Sequence, residues 1–352
     1  MVRLSDFDYH LPEEMIAQTP LSDRGASRLL HLDPDTGMVQ HRMFREVNNI
    51  LQPGDVLVLN NTRVNAWRFR GKKPTGGEVE ILCLNEIEPG VFESLIKPAK
   101  RLKVGATFEL GLGVDGTVLG GGEDPIRIIK LTSSEGNLNE KLGQIGEMPL
   151  PPYITEKLED SERYQTVFSQ SNGSAAAPTA GLHFTQEIIS ALREKGVKIA
   201  TVTLHVGIDT FRPVQVDDVS THQMHGEFCE VSPDAAEVIN STIEYRLTAR
   251  GEQRTGRIIA VGTTAVRTLE SFATKDGRVA HGKKVSRLFI TPGYQFQVVD
   301  GMFTNFHYPR TTMLLMISAL ASREQILNAY AQAVDEKYRF LSFGDSMLLL
   351  KS

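Results

Sequence analysis

Arg257-Ile258-Ile259-Ala260-Val261-Gly262-Thr263-Thr264-Ala265 decides the fold class of this chain. An apolar run of strand length leads directly into a turn, and the turn into a helix, Ala265–Ala273. The same strand–helix texture recurs around it. Gln186–Lys195 reads as a helix, with Gly196 where a left-handed C-terminal cap belongs, and the strand Val197–Val206 follows. Ser232-Pro233 is an N-cap and first-turn pair for a helix running toward Arg250. A strand at Arg287–Ile290 precedes the apolar helix Thr311–Leu320, and Ser322 with Gln325 forms a capping box for a last helix, Glu324–Asp335. Nearer the N-terminus, Pro12 with Glu13 and Glu14 starts a short helix within Leu11–Gln18. Arg28–His31 and Met38–His41 flank a turn as a hairpin, and Asp55–Leu59 reads as a buried strand.

Between Ala66 and Ile154 the texture is different. Glu78-Val79-Glu80-Ile81-Leu82-Cys83-Leu84 and Val91–Ile96 alternate with period two between glycine- and proline-rich turns, as the short strands of a small barrel or sandwich do. Pro149, Pro151 and Pro152 close the section. The expectation is an α/β fold: a discontinuous α/β sandwich domain, residues 1–65 and 155–352, carrying an inserted small β-barrel domain at 66–154. For 352 residues, about two domains are expected at roughly 150 residues each.

Composition removes several classes. Hydrophobic residues at 41% and charged residues at 23% exclude a disordered chain or a fibrous repeat. Lys plus Arg is 38 against 43 for Asp plus Glu, so the net charge of −5 argues against a general polyanion binder. Two cysteines, Cys83 and Cys229, make no disulfide framework and fit a reducing compartment. The longest apolar run, Met313–Ala321, is too short for a membrane span, and Met1–Tyr9 lacks the apolar core of a signal peptide. A cytoplasmic protein is expected.

Several motifs need weighing. Gly111-Leu112-Gly113-Val114-Asp115-Gly116 matches the dinucleotide fingerprint but runs into Gly120-Gly121-Gly122 where a helix is required, so it reads as a β-turn. His222, His225, Glu227 and Cys229 offer metal-type ligands, but Glu227 and Cys229 alternate as on a strand, and structural or substrate-contact roles fit better; no metal is expected. Phe343-Gly344-Asp345-Ser346 lacks the downstream histidine of a serine hydrolase.

Three loops have the character of a composite pocket. Ala177–Thr185, after the small residues Gly173–Ala176, allows close backbone approach of a ligand, or is an ordinary helix entry capped by Thr185. Gly262-Thr263-Thr264 at a helix start offers N–H groups to a carboxylate or phosphate, with Arg267 one turn on, or serves only as an N-cap. In Asn305–Thr312, Phe306 and Tyr308 suit stacking on a flat ring and Arg310 suits an anion. On the strand before Gly207, Thr201, Thr203 and His205 share a face, and His205 sits where α/β sheets bind ligands or is a satisfied core histidine. Two acid-free basic runs, Arg63 to Lys73 and Lys97 to Lys103, suggest a nucleic-acid track, with Trp67 inside the first.

Together these stretches resemble the S-adenosylmethionine:tRNA ribosyltransferase-isomerases of the queuosine pathway. The likeness rests on Asp6-Phe7-Asp8-Tyr9, Val58–Val64, Gly76–Glu80, Pro98–Arg101, Gly146–Ile154, Arg163–Val167, Ala177–Thr185, Leu204–Gly207, Met224-His225, Val261–Thr264 with Arg267, Pro292-Gly293, and Val298 through His307. It spans nearly the whole chain. It implies an α/β domain carrying a β-barrel, and an enzyme that transfers and isomerises the ribosyl group of S-adenosylmethionine. The acceptor is 7-aminomethyl-7-deazaguanine at the tRNA wobble position; the products are epoxyqueuosine-tRNA, adenine and methionine.

With no long apolar patch or coiled coil in the sequence, a monomer is expected. The resemblance makes S-adenosylmethionine a consumed substrate, with no cofactor and no metal, and tRNA the macromolecular partner. It casts His183, His205 and His307 as candidate acid and base, and Thr179, Gly181, Asp209, Gly262, Thr263, Thr264, Arg267, Asn305, Phe306, Tyr308 and Arg310 as substrate contacts. Arg63, Lys97, Lys100 and Arg101 would meet tRNA phosphates. Two departures stand out: Asp209-Thr210-Phe211 where the family has Gly-Thr-Phe, and Lys283–Arg287 where it often has a Gly-Trp-containing stretch. An RNA methyltransferase would need a glycine-rich loop that is missing, and a non-catalytic RNA-binding barrel would leave the polar loops without a purpose.

Overall fold

A computed structural model describes residues 2–64, 67–121, 126–207, 216–248 and 256–351, with the backbone alone at Asn85, Lys100, Leu247 and Thr248. Its strands, in chain order, are β1 (Arg28–Leu32), β2 (Val39–Met43), β3 (Val56–Asn60), β4 (Thr62–Val64), β5 (Trp67–Lys72), β6 (Glu78–Glu88), β7 (Val91–Lys97), β8 (Thr107–Gly111), β9 (Val114–Gly121) and β10 (Ile126–Ser133). After these come β11 (Ser171–Ser174), β12 (Lys198–Leu204), β13 (Glu227–Val231), β14 (Ile258–Val261), β15 (Gly282–Ser286), β16 (Gly301–Asn305) and β17 (Ser346–Leu350). The helices are α1 (Val47–Ile50), α2 (Leu138–Ile145), α3 (Gln186–Glu194), α4 (Pro233–Thr248), α5 (Thr263–Phe272), α6 (Thr312–Leu320) and α7 (Arg323–Asp335). By its contacts the chain divides into two units. Met1–Arg63, Pro151–Ser171 and Ala177–Ser352 make one, and Val64–Leu150 with Asn172–Ala176 the other.

The first unit is built on a nine-stranded mixed sheet in the order β15-β13-β12-β3-β14-β16-β17-β1-β2. Its centre, β12-β3-β14-β16, is parallel throughout. Every residue of β3, β14, β16 and β17 is buried, which explains why these strands carry no polar alternation. Helix α3 buries Ile188, Ile189 and Leu192, is capped by Thr185 Oγ1 accepting from Ile188 N (3.3 Å), and ends at Gly196 with φ +94°. The capping box at α7 forms as expected: Ser322 Oγ accepts from Gln325 N, and Gln325 Oε1 accepts from Ser322 N.

The second unit is a closed barrel, β10-β7-β6-β5-β8-β9, so an α/β fold with a small barrel is what the chain adopts. Along β7, Phe92, Ser94 and Ile96 point inward and alternate with exposed or half-exposed residues. With Phe69, Ile81, Phe108, Val118, Ile129 and others they fill the interior. The Gly111–Gly116 motif is the β8–β9 hairpin: Gly111, Leu112 and Gly113 all have positive φ, and no helix follows.

Two expectations change. The N-terminal helix is a single 3₁₀ turn, Glu13–Met15. The expected strand at Arg287–Ile290 is irregular; the edge strand is β15, paired with β13 from Glu227↔Ser286 to Val231↔Gly282. Strands β16 and β17 went unread, unlike the equally buried β3 and β14: Gly301, Thr304 and Asn305 break up the apolar run of β16, and β17 begins inside the hydrolase-like motif at Ser346. Ser346, the serine of the hydrolase-like motif, is fully buried in β17.

Candidate functional site

In an open α/β sheet, ligands bind beyond the carboxyl ends of the parallel strands. Here those ends are Asn60 through Thr62 after β3, His205 through Gly207 after β12, Gly262 through Thr264 after β14, and Asn305 through His307 after β16. Asn60 latches the first two together. Its Nδ2 donates to Leu204 O (3.0 Å), and its Oδ1 accepts from Leu204 N (3.0 Å) and Thr62 N (3.1 Å). Asn61 Oδ1 adds a bond from Thr203 Oγ1 at 2.7 Å.

This latch places His205. Its Nδ1 lies 2.7 Å from Thr62 Oγ1, and its ring stacks on Phe228 at 5.3 Å and 17°. Half-burial holds its pKa below the ordinary histidine value, opposed in part by Glu230, so the imidazole is neutral at physiological pH. Its Nε2 meets no hydrogen-bonding partner among the described residues.

The strand β13 supplies Glu227 beside this loop. Its Oε1 accepts from Gly207 N at 2.9 Å, and its Oε2 is in close contact with Arg267 Nη1 in a buried ion pair. The anion role expected of Arg267 is therefore already filled by Glu227; the guanidinium holds β13 to α5, with a further contact to Ser286 O at 3.5 Å. At the start of α5, Gly262 has φ +87° and leaves the helix without a side-chain cap. Thr264 Oγ1 is buried and has no partner among the described residues, and neither has Arg267 Nε. The simple N-capping alternative is thus not what the threonines do.

The other histidines are locked. His183 Nδ1 lies 2.9 Å from Ser27 Oγ, and its Nε2 lies 3.2 Å from Asn305 Nδ2. Because an amide nitrogen can only donate, that bond assigns His183 as the Nδ1–H tautomer. Asn305 Nδ2 also donates to Leu341 O, and its Oδ1 accepts from Thr179 Oγ1 at 3.1 Å. His307 Nε2 lies 2.7 Å from Thr304 Oγ1; its N–H donates to Tyr330 Oη at 3.0 Å, and its carbonyl accepts from Tyr9 Oη. Burial pushes both pKa values down to about 3, with Arg24 and Arg339 adding to the effect at His183.

Sequence reading treats the three histidines as equals, and the structure separates them. With both ring nitrogens engaged and burial holding the imidazole neutral, His183 is fixed in place between Ser27 and Asn305. His307 is equally buried, but only one of its ring nitrogens, Nε2, has a partner among the described residues. Phe306 is also corrected: it is fully buried among Tyr330, Tyr338 and Phe340 and offers no face to a ligand. Tyr308 is half-buried, edge-on to Tyr153 at 5.4 Å, and remains in reach of solvent. Arg310 adopts φ +59°, with its Nη1 3.9 Å from Asp8 Oδ2. Gly181 is required by packing, since a Cβ there would meet Phe168 Cζ at 2.7 Å. Ala180 lies 3.5 Å from the position of a Cβ on Gly262, which brings the 179–183 loop against the head of α5.

Among the basic residues, Arg63 is in close contact with Glu162 and donates to Ser169 Oγ at 3.0 Å, so its charge is partly spent. Lys97 and Arg101 are exposed on the barrel. Asp209 and the side chain of Lys100 lie outside the described residues. Among the described residues no group of three His, Cys, Asp or Glu could hold a metal ion. His222 instead lies edge-on to Phe289 at 5.1 Å.

A family model described as queuosine biosynthesis protein matches residues 4–349. The chain belongs to this family. It is 49% identical over 356 residues to the S-adenosylmethionine:tRNA ribosyltransferase-isomerase of Desulforamulus reducens, covering 99% of this chain and 100% of that one. It is 48% identical over 350 residues to the enzyme of the same name in Clostridioides difficile, with 99% and 100% coverage. Its fold matches the crystal structure of an S-adenosylmethionine tRNA ribosyltransferase from Thermotoga maritima with a TM-score of 0.55, at 35% identity and over 98% of this chain and 100% of that one.

In this family member two residues missed from sequence, Asn60 and Ser27, and one singled out there for a structural or substrate-contact role, Glu227, hold others in place. Asn60, Ser27 and Glu227 hydrogen-bond across 144, 156 and 40 residues of sequence, to Leu204, His183 and Arg267 respectively. Glu227 had one local signal, a carboxylate on the inward side of an alternating strand. The other two had none.

Proposed function

We propose that this chain transfers the ribosyl group of S-adenosylmethionine to 7-aminomethyl-7-deazaguanine at the wobble position of tRNA and isomerises it. The products are epoxyqueuosine-tRNA, adenine and methionine. The observation that carries this reading is near-half identity, over essentially the full length, to proteins named for the activity. The polar cluster at the carboxyl ends of β3, β12, β14 and β16 supports it.

The chemistry needs a base for the acidic C5′ proton beside the sulfonium, a proton for departing adenine, and an anion site for the methionine carboxylate. His205 is the base. Its face is held by Phe228 and its lowered pKa keeps the ring neutral. Thr62 Oγ1 donates its own proton to Ser171 O and so accepts from Nδ1–H, which leaves Nε2 as the unprotonated nitrogen. The carboxylate sits at the head of α5, on the N–H groups of Thr263 and Thr264 and on Thr264 Oγ1, while Arg267 and Glu227 fix the helix and the His205 loop to one another. Thr179, Asn305 and His183 form a rigid wall to the site, and Tyr308 stacks on a base. Lys97, Lys100 and Arg101 meet tRNA phosphates. S-adenosylmethionine is consumed, and no metal or cofactor takes part. The protein acts as a cytoplasmic monomer; no helix among the described residues is long and apolar enough to cross a membrane.

The test is incubation with S-adenosylmethionine and tRNA bearing the aminomethyl-deazaguanine base. Free adenine and methionine, with the corresponding mass gained by the tRNA nucleoside, are expected. S-adenosylhomocysteine in their place would mean methyl transfer and would overturn the reading.

A further inference from the structure

Three arginines crowd a cleft on the sheet unit away from the His205 loop: Arg24 and Arg163 line it, and Arg339 adjoins it through Gly344. Arginines grouped this closely normally share a carboxylate, because like charges at short range repel. Here none of the three forms an ion pair with a carboxylate among the described residues. They are held by main-chain carbonyls instead. Arg24 Nη1 donates to Leu182 O (3.2 Å) and Nη2 to Glu162 O (3.1 Å); Arg163 Nη1 donates to Ser22 O (3.0 Å), and its Nη2 contacts Leu21 O closely, as Arg339 Nη2 does Thr19 O. Carbonyl oxygens fix a guanidinium's direction but do not neutralise it.

The acids nearby make their direct bonds to other donors and act on the arginines only through space, Asp160 and Glu162 on Arg24 and Asp345 on Arg339. Asp160 Oδ1 caps the turn at Glu162 N (2.9 Å), and Glu162 Oε1 is taken by Arg63. Asp345 receives two main-chain donors, Arg28 N and Arg339 N, both at 2.8 Å. The cleft's other polar lining is neutral: Ser27, Ser342, and His183 held uncharged by its surroundings. Two arginine donors, Arg163 Nε and Arg339 Nη1, are buried without an acceptor among the described residues. The cluster's charge is thus offset only from a distance, and among the described residues no carboxylate touches any of its three guanidiniums. With two donors unmatched, an incoming anion can make the direct contacts that are missing.

We infer that the Arg24–Arg163–Arg339 cleft is a phosphate subsite, occupied by a backbone phosphodiester of the RNA substrate. The cleft is open to solvent, whereas a small-molecule anion is typically enclosed by its site. A phosphate fixed on a polymer needs only such a shallow seat, approached by forked guanidinium donors. This inference rests on the tRNA reading above. It adds a contact beside Arg63, which shares Glu162 with Arg24, and one that shares His183 with the polar cluster: Ser27 and His183 line the cleft, and the other nitrogen of His183 meets Asn305. RNA docking is thereby coupled to the wall of the reaction site.

The experiment measures tRNA affinity against salt concentration for the full-length protein and for Arg24→Gln and Arg163→Gln. Each substitution is expected to weaken binding and to lower the slope of log K on log salt by about 1. In turnover, KM for tRNA rises by a larger factor than kcat falls. Unchanged affinity and slope in folded variants would overturn the proposal. If the variants fail to fold, the wild-type protein decides: tRNA is expected to protect Arg24 and Arg163 from modification by phenylglyoxal. Absence of protection by bound tRNA overturns the proposal, and protection by inorganic phosphate but not by tRNA overturns the assignment to RNA. Wild-type protein that neither binds tRNA nor releases adenine would instead mean that the functional reading itself has failed.

Discussion

The barrel and the sheet unit use their interiors differently. Inside the barrel the side chains are almost uniformly apolar, with Phe69, Ile81, Ile96, Phe108, Val118 and Ile129 packed together and Ser94 the buried hydroxyl of β7. The sheet unit also has an apolar core, around Leu57, Phe184, Ile259 and Phe303. At its parallel carboxyl edge, however, it buries Asn60, Thr62, His183, Glu227, Arg267, Thr304, Asn305 and His307. Burying polar groups costs free energy unless each is hydrogen-bonded, so a fold accumulates them where chemistry requires them. The difference agrees with the proposal that the sheet unit carries the reaction, and substitutions in each unit should fail in different ways.

The largest expected effect is on rate. His205→Ala should cut adenine release by about 10²–10⁴-fold, the usual contribution of a general base, while far-UV circular dichroism is unchanged. Loss below tenfold would remove His205 from the proton-transfer role. Because burial lowers its pKa, the wild-type rate should be flat above about pH 6.5 and decline only in more acidic solution. A decline beginning above pH 7 would contradict that direction.

Close behind is a loss of stability at the same edge. Glu227→Gln removes the carboxylate that Arg267 faces and leaves a buried guanidinium without its counter-charge. A cost of about 3–5 kcal/mol is expected in denaturant unfolding, with impaired turnover, since the single amide oxygen of Gln cannot accept from both Gly207 N and Arg267. A cost below about 1 kcal/mol would show that the pair is dispensable.

Acid should separate the two units further. His183 and His307 titrate near pH 3 in the folded protein against 6.5 in the ordinary case. Between those values the unfolded chain binds protons that the folded one refuses, so the stability they contribute is complete above about pH 6.5 and drains as pH falls. Each histidine removes up to about 1.4 kcal/mol per pH unit across that window. Unfolding titrations at pH 7 and 5.5 should show the decline, and His307→Asn should reduce it. An unchanged slope in that variant would mean that His307 is not buried in its neutral form.

These contrasts also explain what was legible in the sequence. The barrel's period-two strands and the capped helices α3 and α7 are local patterns, and their signals lie within a few residues. The site is partly local as well: Gly262-Thr263-Thr264 and His205 stand at strand ends that could be read directly. What separates His205 from His183 is distant in sequence, because Ser27, Asn305 and Thr62 determine which ring nitrogens are occupied. The burial of Phe306 depends on Tyr330, Tyr338 and Phe340 closing around it, which no feature of Asn305–Thr312 announces. Local periodicity yields elements, whereas the occupancy of a donor or the accessibility of a ring is a tertiary property.

The smallest effect tests the other side of the comparison. Ile81 is fully buried in β6, opposite Phe69 on β5 and Ile96 on β7. Ile81→Val removes one methylene and leaves every hydrogen bond of the barrel in place, so the expected cost is about 0.5–1.5 kcal/mol. Calorimetry should show that cost in the barrel's unfolding, with adenine release at saturating substrates equal to wild type, since Ile81 touches none of the groups assigned to the reaction. A turnover defect comparable to that of His205→Ala, from a substitution worth one methylene, would mean that catalysis depends on the barrel's internal packing as well as on the sheet edge. The division of labour would then be wrong.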